Sequence, residues 1–278
     1  MFLAFRAMNS QPTPLVLTPL AGFPLVRPGD NLAELIWQVL EHNSIRLQDG
    51  DVLILAQKIV SKAENRFVHL SQVFPTPRAV ELAVLTEKDP RMVELVLQES
   101  LNVLRCRPGT IIVEHRLGFV CANAGIDHSN VEGFPVAPGE AMTQSDKTAE
   151  EWVLLLPENP DRSAEQIRQT LQQRSGVRLG VLIIDSHGRA WRLGTVGIAI
   201  GLAGLPGLVD LRGEPDLFGY RLRITEVGAA DELAAAASLV MGQAAEGTPL
   251  VHGRGFPYVL REAGLAELIR PRTQDMFR

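Results

Sequence analysis

Two segments of the chain contain an aspartate in a setting that could bind a divalent metal ion. Asp185 follows the apolar run 181–184 and precedes Ser186, so a carboxylate and a hydroxyl stand at the end of a predicted buried strand. Asp127 lies in the polar segment 121–130, whose residue types favour a tight loop with exposed backbone amides. Oxygen donors of this kind suit Mg²⁺ or Mn²⁺. The alternatives are turns that Asp185 and Asp127 merely cap.

Two lysines could present positive charge to phosphate groups. Lys58 and Lys62 lie in the segment 56–64, directly after a predicted strand. A strand end is a rigid platform, and ammonium groups attract phosphate oxygens. The alternative is an exposed turn with solvated lysines. A further polar segment, residues 239–249, follows an alanine-rich helix, where Gly242 is explained more simply as a helix C-cap.

Hydrophobic periodicity and capping signals predict the elements that must hold these segments. Helices are predicted after Asn31, from Asp89 to Leu104, from Ser163 to about Gly176, and over residues 231–241. Strands are predicted over residues 15–17, 52–55, 110–114, 152–156, 181–184 and 221–225. The two types are mixed without strict alternation. This order predicts an α+β fold with irregular mixed sheets and helices rather than a doubly wound sheet.

Composition restricts the class of protein. The 278 residues carry a net charge of −5, with 46% hydrophobic and 21% charged residues, as in ordinary globular proteins. Mild acidity argues against a nucleic-acid partner. The longest uncharged apolar run, residues 196–209, contains a proline and is shorter than the roughly 20 residues of a membrane span, so no membrane partner is expected. We expect a cytoplasmic protein with two buried or half-buried thiols, Cys106 and Cys121.

The chain divides simply. Residues 1–14 are predicted to be a flexible N-terminal lead-in, and residues 15–278 a single catalytic unit. The polar stretch 139–151 is either a linker or a surface loop.

No phosphate-binding loop, dinucleotide fingerprint, nucleophile elbow or HExxH zinc motif is present. The spaced glycines at 197, 201, 204 and 207 fit close packing against a backbone as well as a phosphate cradle.

Over residues 18 to 255 the sequence resembles coenzyme F420-0:L-glutamate ligases, also called F420-0 γ-glutamyl ligases. Long blocks in the same order carry this resemblance. They are GDVLILAQKIVSKAE, ESLNVLR, GFVCANAGIDHSNV, LLPENPDRSAEQIR, DSHGRAWR and the segment from VGIAIGLAGLPGLVD to ASLVMGQA. Such blocks are far more specific than a single short motif.

The resemblance implies GTP-dependent amide-bond formation. The γ-phosphate of GTP passes to the terminal carboxylate of F420-0, the amine of L-glutamate attacks the resulting acyl phosphate, and phosphate leaves. A second glutamate can be joined through a γ-linkage. The family also implies Mg²⁺ or Mn²⁺, K⁺ as an assisting cation, and an intertwined homodimer with a fold outside the common nucleotide-binding classes.

Site residues follow from the resemblance by motif position. Asp127 and Asp185 are expected to bind one divalent metal ion, and Ser186 and Gln243 a second. The two aspartates and Lys62 are the expected catalytic residues. The residues expected to contact the nucleotide are Phe23, Pro24, Leu25, Val26, Gln57, Lys58, Lys62, Asn130, Met241, Gly242, Gln243, Ala244, Ala245, Glu246, Gly247 and Thr248.

Some residues depart from the family pattern. Ser186 stands where threonine is frequent and keeps the hydroxyl, whereas His187 replaces a usual aromatic residue and Ala190 a usual proline. Gln243 is a neutral ligand, weaker than a carboxylate. No nitroreductase-like C-terminal domain is present, so a stand-alone ligase is expected. Two other hypotheses stay open, namely a ligase for a different phosphorylated carboxylate and a regulatory protein that binds nucleotide and metal without turnover.

Overall fold

A computed structural model describes residues 13–131 and 151–276 of the chain. The α-helices are α1 Leu32–His42, α2 Gln57–Ala63, α3 Pro77–Thr86, α4 Pro90–Gln98, α5 Pro160–Ser175 and α6 Ala229–Met241. The strands are β1 Val16–Pro19, β2 Val52–Ala56, β3 Phe67–His69, β4 Ser100–Arg107, β5 Thr110–His115, β6 Val120–Ala122, β7 Trp152–Leu154, β8 Gly180–Arg189, β9 Arg192–Ala203, β10 Val209–Asp210, β11 Glu226–Val227 and β12 Leu250–Arg254. The mixed content confirms the predicted α+β class.

The largest sheet has five strands in the order β1-β12-β2-β8-β9. Strands β2 and β8 are parallel, and the other neighbouring pairs are antiparallel. Successive side chains of a strand point to opposite faces, and both faces of β2 are buried. Leu53 and Leu55 pack in one hydrophobic cluster with α1 and α5, whereas Val52 and Ile54 pack in another with α6. Helices therefore cover both faces of the central strands.

Three small sheets complete the described fold. Strands β4, β5 and β6 form an antiparallel sheet, β3 pairs with β7, and β10 pairs with β11. These separate sheets confirm the irregular mixed arrangement that the sequence predicts. Most of the predicted lead-in and of the 139–151 linker lies outside the described residues, so both stay predictions, as does the single catalytic unit over residues 15–278.

The prediction of one long helix from Asp89 to Leu104 is wrong in its second half. Helix α4 ends at Gln98, and β4 begins at Ser100. Leu101 and Leu104 continue the helical spacing by coincidence, because both lie within β4, at the two register shifts of its pairing with β5. Sheet formation overrides local periodicity here. Asp89 is the N-cap as predicted, accepting a hydrogen bond from the backbone N–H of Arg91.

Other element boundaries also differ. The N-cap of α5 is Asn159 and not Ser163, which lies inside the helix and hydrogen-bonds Glu64 through its hydroxyl. The predicted strand over 221–225 is absent and only the short β11 follows it, whereas β8 continues beyond residue 184 to Arg189. The strand predicted over 152–156 stops at residue 154. The C-caps predicted at Gly176 and Gly242 are confirmed.

The spaced glycines pack closely against other elements. A Cβ atom on Gly201 would lie 2.3 Å from the Cβ of Pro160, at the start of α5. One on Gly197 would lie 2.5 Å from the Cβ of Ser238 in α6. The close-packing interpretation of these glycines is therefore confirmed at both positions.

Within the described residues, no helix is both long and apolar enough to cross a membrane. Cys121 is buried as predicted, whereas Cys106 is exposed.

Candidate functional site

The candidate site begins where β2 ends. Helix α2 follows β2 without an intervening loop, so its first residues stand at the edge of the central sheet. The side-chain amide of Gln57 donates a hydrogen bond of 2.7 Å to Oδ2 of Asp127. Lys58 Nζ lies 3.4 Å from the other carboxylate oxygen and also hydrogen-bonds the hydroxyl and carbonyl of Ser129. The structure thus brings the neighbouring predicted site residues Gln57 and Lys58 to Asp127, which lies 70 positions after Gln57 in the sequence.

The Asp127 carboxyl group is held in an unfavourable environment for its charge. Burial, assisted by the Asp185 carboxylate and opposed by Lys58 and the amide of Gln57, raises its pKa to about 6. Its side chain keeps 25% exposure, which leaves an opening to solvent. Two neighbouring carboxylates, one of which raises the proton affinity of the other, form a site for positive charge. The fold therefore brings Asp127 and Asp185 close enough to interact, and their expected role as ligands of one metal ion stays a prediction.

The second predicted ligand pair also meets. Ser186 Oγ donates a hydrogen bond of 2.8 Å to the side-chain oxygen of Gln243, whose amide nitrogen donates to Ser238 Oγ at 2.8 Å. Because side chains alternate along β8, Ser186 leaves the strand on the face opposite to Asp185. The two predicted ligand pairs therefore flank one strand and form two distinct groups of oxygen atoms.

The loop after α6 closes one side of the site. Gly242 adopts a positive φ of 79° at the end of the helix, and Asn130 reaches the carbonyl of Ala244 at 3.4 Å. The Glu246 carboxylate turns back and accepts a hydrogen bond of 2.8 Å from the backbone N–H of Ala244. Backbone N–H groups, that of Ala244 first, lower the pKa of Glu246. These amides already hold an anionic group, which is the property expected of the predicted nucleotide-contacting loop.

The remaining members of this loop and the first predicted nucleotide segment lie around these contacts. Thr248 donates a hydrogen bond to the carbonyl of Met241, which closes the loop from within. Leu25 is 75% exposed, whereas Val26 is buried in the core. The predicted nucleotide segment at residues 23–26 lies in the connection from β1 to α1, which a backbone hydrogen bond from Gly29 fastens to the end of α2. The hydrogen bonds of Thr248 and Gly29 do not by themselves assign a role to residues 23–26 or to the loop after α6.

Lys62 lies one turn beyond Lys58 on α2 and is half-buried. The two lysines therefore share one side of the helix, as their four-residue spacing requires. The predicted alternative, an exposed turn with solvated lysines, is wrong, because the segment is helical and Lys58 is bonded. The catalytic role of Lys62 stays a prediction.

His187 adds a contact on the far side of Asp185. Its Nε2 lies 2.9 Å from Oδ2 of that aspartate, and its ring lies 5.3 Å from the ring of Phe119. The side chain is 7% exposed, so this pair is closed to bulk water. On the same side, burial first and Asp185 second raise the pKa of Cys121 to about 12, so its thiol stays protonated at neutral pH.

The donor set fits a hard divalent cation. It combines two carboxylates with hydroxyl and amide oxygens, which is the chemistry that Mg²⁺ and Mn²⁺ prefer. Over the described ranges, no three side chains of His, Cys, Asp or Glu are grouped as a metal centre. A cation here would consequently complete its coordination with neutral oxygens, substrate or water.

Comparison with known proteins decides the family. The family model for F420-0:gamma-glutamyl ligase matches residues 22–255. The coenzyme F420:L-glutamate ligase of Methanothermobacter thermautotrophicus is 46% identical over 92% of this chain and 96% of its own length. The chain belongs to the F420-0:gamma-glutamyl ligase family.

Two further relatives agree. The coenzyme F420:L-glutamate ligase of Methanopyrus kandleri is 46% identical over 98% of this chain and its whole length. That of Archaeoglobus fulgidus is 40% identical over 94% of this chain and 95% of its length. This member of the ligase family is therefore similar to named ligases along nearly its full sequence, and it is an enzyme.

Sequence reasoning missed several polar residues that support the site of this ligase-family chain. Ser61 donates to the side-chain oxygen of Gln57 at 2.8 Å and thereby orients its amide toward Asp127. The four-residue spacing between Ser61 and Gln57 would reveal this pair once a helix is assigned there. Ser238 lies near the end of α6, five residues before Gln243, and its contact with Gln243 becomes evident only once the turn after the helix is known.

Proposed function

We propose that this chain joins L-glutamate to the terminal carboxylate of F420-0, using GTP and a divalent metal ion. The observation that supports this best is the meeting of Asp127, Asp185, Lys58 and the loop at residues 241–248 from four distant parts of the sequence. Family membership supplies the reaction class, and this arrangement supplies the positive and negative groups that the reaction needs. The role of each residue and the use of GTP are part of the proposal.

The proposed reaction has two group transfers. A carboxylate oxygen of F420-0 attacks the γ-phosphorus of GTP, and GDP leaves with the bridging oxygen. The amine of glutamate then attacks the carbonyl carbon of the acyl phosphate, phosphate leaves, and the nitrogen loses a proton. In the same way, the γ-carboxylate of the attached glutamate can be phosphorylated and then attacked by the amine of a second glutamate, with loss of phosphate. Shielding the acyl phosphate from water is essential, because hydrolysis competes with the amine.

The residues of this chain have separate tasks in that scheme. Asp127 and Asp185 would hold one Mg²⁺ or Mn²⁺ ion, and Ser186 and Gln243 a second. The bound metal, with K⁺ assisting, would supply positive charge against the phosphate oxygens. Lys58 and Lys62 orient the same oxygens, and backbone amides of the 241–248 loop hold the phosphate chain. Gln57 keeps Asp127 in place through its 2.7 Å hydrogen bond.

A mass-spectrometric end-point assay tests this function. Purified protein, F420-0, GTP, Mn²⁺ and L-glutamate are combined, and each component is omitted in turn. We expect a product heavier by one or more glutamyl units that disappears without GTP or metal. Asp127→Asn and Asp185→Asn should abolish it. Asp49→Asn is the matched control, because Asp49 is exposed and its Oδ1, which accepts the N–H of Arg178, survives the change.

The alternative hypotheses give different results in this assay. A ligase for another acceptor would release phosphate only with that acid present and would leave F420-0 unchanged. A regulatory protein would bind GTP and metal without releasing phosphate under any combination. Phosphate release that requires both F420-0 and glutamate excludes both alternatives.

Exposed apolar side chains support a homodimer as the proposed functional unit. The tip of the β8–β9 hairpin exposes Trp191 and Leu193, at 92% and 97%, and the segment from 211 to 227 exposes Leu217, Phe218 and Ile224. Large apolar side chains so fully exposed are typical of a protein interface. Sedimentation equilibrium should show a dimer, and Leu193→Glu with Phe218→Glu should shift it to monomer.

A further inference from the structure

The hydrogen bond between His187 and Asp185 has a defined direction. An ionised carboxylate only accepts hydrogen bonds, so the proton between the two groups belongs to His187 Nε2, which lies 2.9 Å from Oδ2. Residues two positions apart share one face of a strand, so β8 brings both side chains to the same side of the sheet. The contact is therefore fixed by backbone geometry as well as by charge.

The other ring nitrogen of His187 shows that packing does not explain this residue. Nδ1 is buried and has no hydrogen-bond partner among the residues that the structure describes. The ring packs at 5.3 Å against Phe119, which in turn stacks at 5.1 Å on His115. An apolar aromatic ring would fill the same space without burying an unsatisfied nitrogen. What histidine adds at this position is the hydrogen bond to Asp185.

We propose that His187 is a positioning residue for the metal-binding carboxylate of Asp185. Its Nε2–H holds Oδ2, so the carboxylate cannot rotate freely and Oδ1 remains available to the cation. Groups behind a metal ligand commonly fix its orientation and raise metal affinity in this way. This inference rests on the proposed function, since it takes Asp185 as a metal ligand.

The chain contains a matched pair for the test. His252 Nε2 lies 2.8 Å from Oδ2 of Asp51, and both side chains are buried within the same five-stranded sheet. That pair shares the chemistry of the His187–Asp185 pair but lies apart from the second carboxylate, Asp127. Substitution of His252 therefore measures what loss of a buried His–Asp bond does to stability alone.

The experiment measures Mn²⁺ affinity directly, without turnover. Free Mn²⁺ is followed by electron paramagnetic resonance during titration of the wild type, His187→Phe, His187→Gln, His252→Phe and Asp185→Asn. Phenylalanine keeps an aromatic ring without a donor, whereas glutamine keeps an N–H at the end of its side chain. Circular dichroism melting curves establish that each variant is folded.

We expect His187→Phe to weaken Mn²⁺ binding by about 10- to 100-fold and His187→Gln to recover most of that loss. His252→Phe should lower the melting temperature and leave Mn²⁺ affinity unchanged. Folded His187→Phe protein with wild-type affinity overturns the inference and leaves the proposed metal site intact. An Asp185→Asn variant that binds Mn²⁺ as tightly as the wild type overturns the assignment of Asp185 as a metal ligand.

Discussion

Replacing Asp127 by asparagine should make the metal-free protein more stable at neutral pH, although it should abolish activity. Burial, the first cause, raises the pKa of this carboxyl group from 3.8 to about 6. The folded state therefore binds its proton more tightly than the unfolded state does. Ionisation at pH 7 then works against folding, and asparagine removes that ionisation while its oxygen can still accept the hydrogen bond from Gln57.

The size of the stabilisation expected for Asp127→Asn follows from the pKa shift of Asp127. A rise from 3.8 to about 6, at about 1.36 kcal/mol for each pKa unit, gives an upper limit of about 3 kcal/mol. The Asp127 side chain is 25% exposed, and solvent screens part of the interaction. We therefore expect a stabilisation of about 1–2 kcal/mol at pH 7. The destabilisation of the wild type is absent below its unfolded pKa, grows between pH 4 and 6, and is complete above that window.

Urea denaturation of metal-free protein at pH 7 and pH 5 measures this difference. The advantage of Asp127→Asn should fall by about half at pH 5, as the linkage between these two pKa values requires. Saturating Mn²⁺ should stabilise the wild type and not the variant. The reasoning is refuted by a variant that is less stable than the wild type at pH 7, or by a difference that does not depend on pH. Asp49→Asn should show no gain at either pH.

Three further outcomes are expected. Mn²⁺ affinity should fall about tenfold from pH 7 to pH 5, because Asp127 must lose its proton before it can bind the metal ion, and burial raises its pKa to about 6. Titration with Mn²⁺ at both pH values checks this. Asp51→Asn should lower the free energy of unfolding by about 3–5 kcal/mol in urea, because the 1% exposed carboxylate pairs with Arg254. Gly201→Ala should cost about 1–3 kcal/mol, measured by thermal melting, because its Cβ would lie 2.3 Å from Pro160.

The sequence predicts much of the fold where local signals agree with the sheet. The apolar run at 52–55 forms β2, and the cap at Asn31 begins α1 through a hydrogen bond from the N–H of Glu34. Prediction fails where non-local pairing decides. The helical spacing that continues to Leu104 loses to the pairing of β4 with β5, and no local pattern records that pairing.

In the candidate site, too, local sequence signals indicate the residue types, whereas non-local contacts decide the arrangement. Residue types at Asp127 and Asp185 indicate oxygen ligands, but only the fold places them close enough for one to raise the proton affinity of the other. The bond from His187 could not be expected, because the predicted strand stops at residue 184, whereas β8 runs on to Arg189 and places His187 on the same face as Asp185. The hydrogen bond between Ser186 and Gln243 joins residues 57 positions apart, and no local pattern records it, because it depends on how α6 lies against the sheet.

The position of β12 has a consequence for the order in which the protein can fold. This strand lies between β1 and β2, and its His252 binds Asp51, 201 residues earlier in the chain. During synthesis, the edges of β1 and β2 that pair with β12 stay unpaired until residues 250–254 have left the ribosome. Pairing over such a separation is slow, and an unpaired strand edge favours aggregation. Newly made chains should therefore depend on chaperones until their last strand is in place.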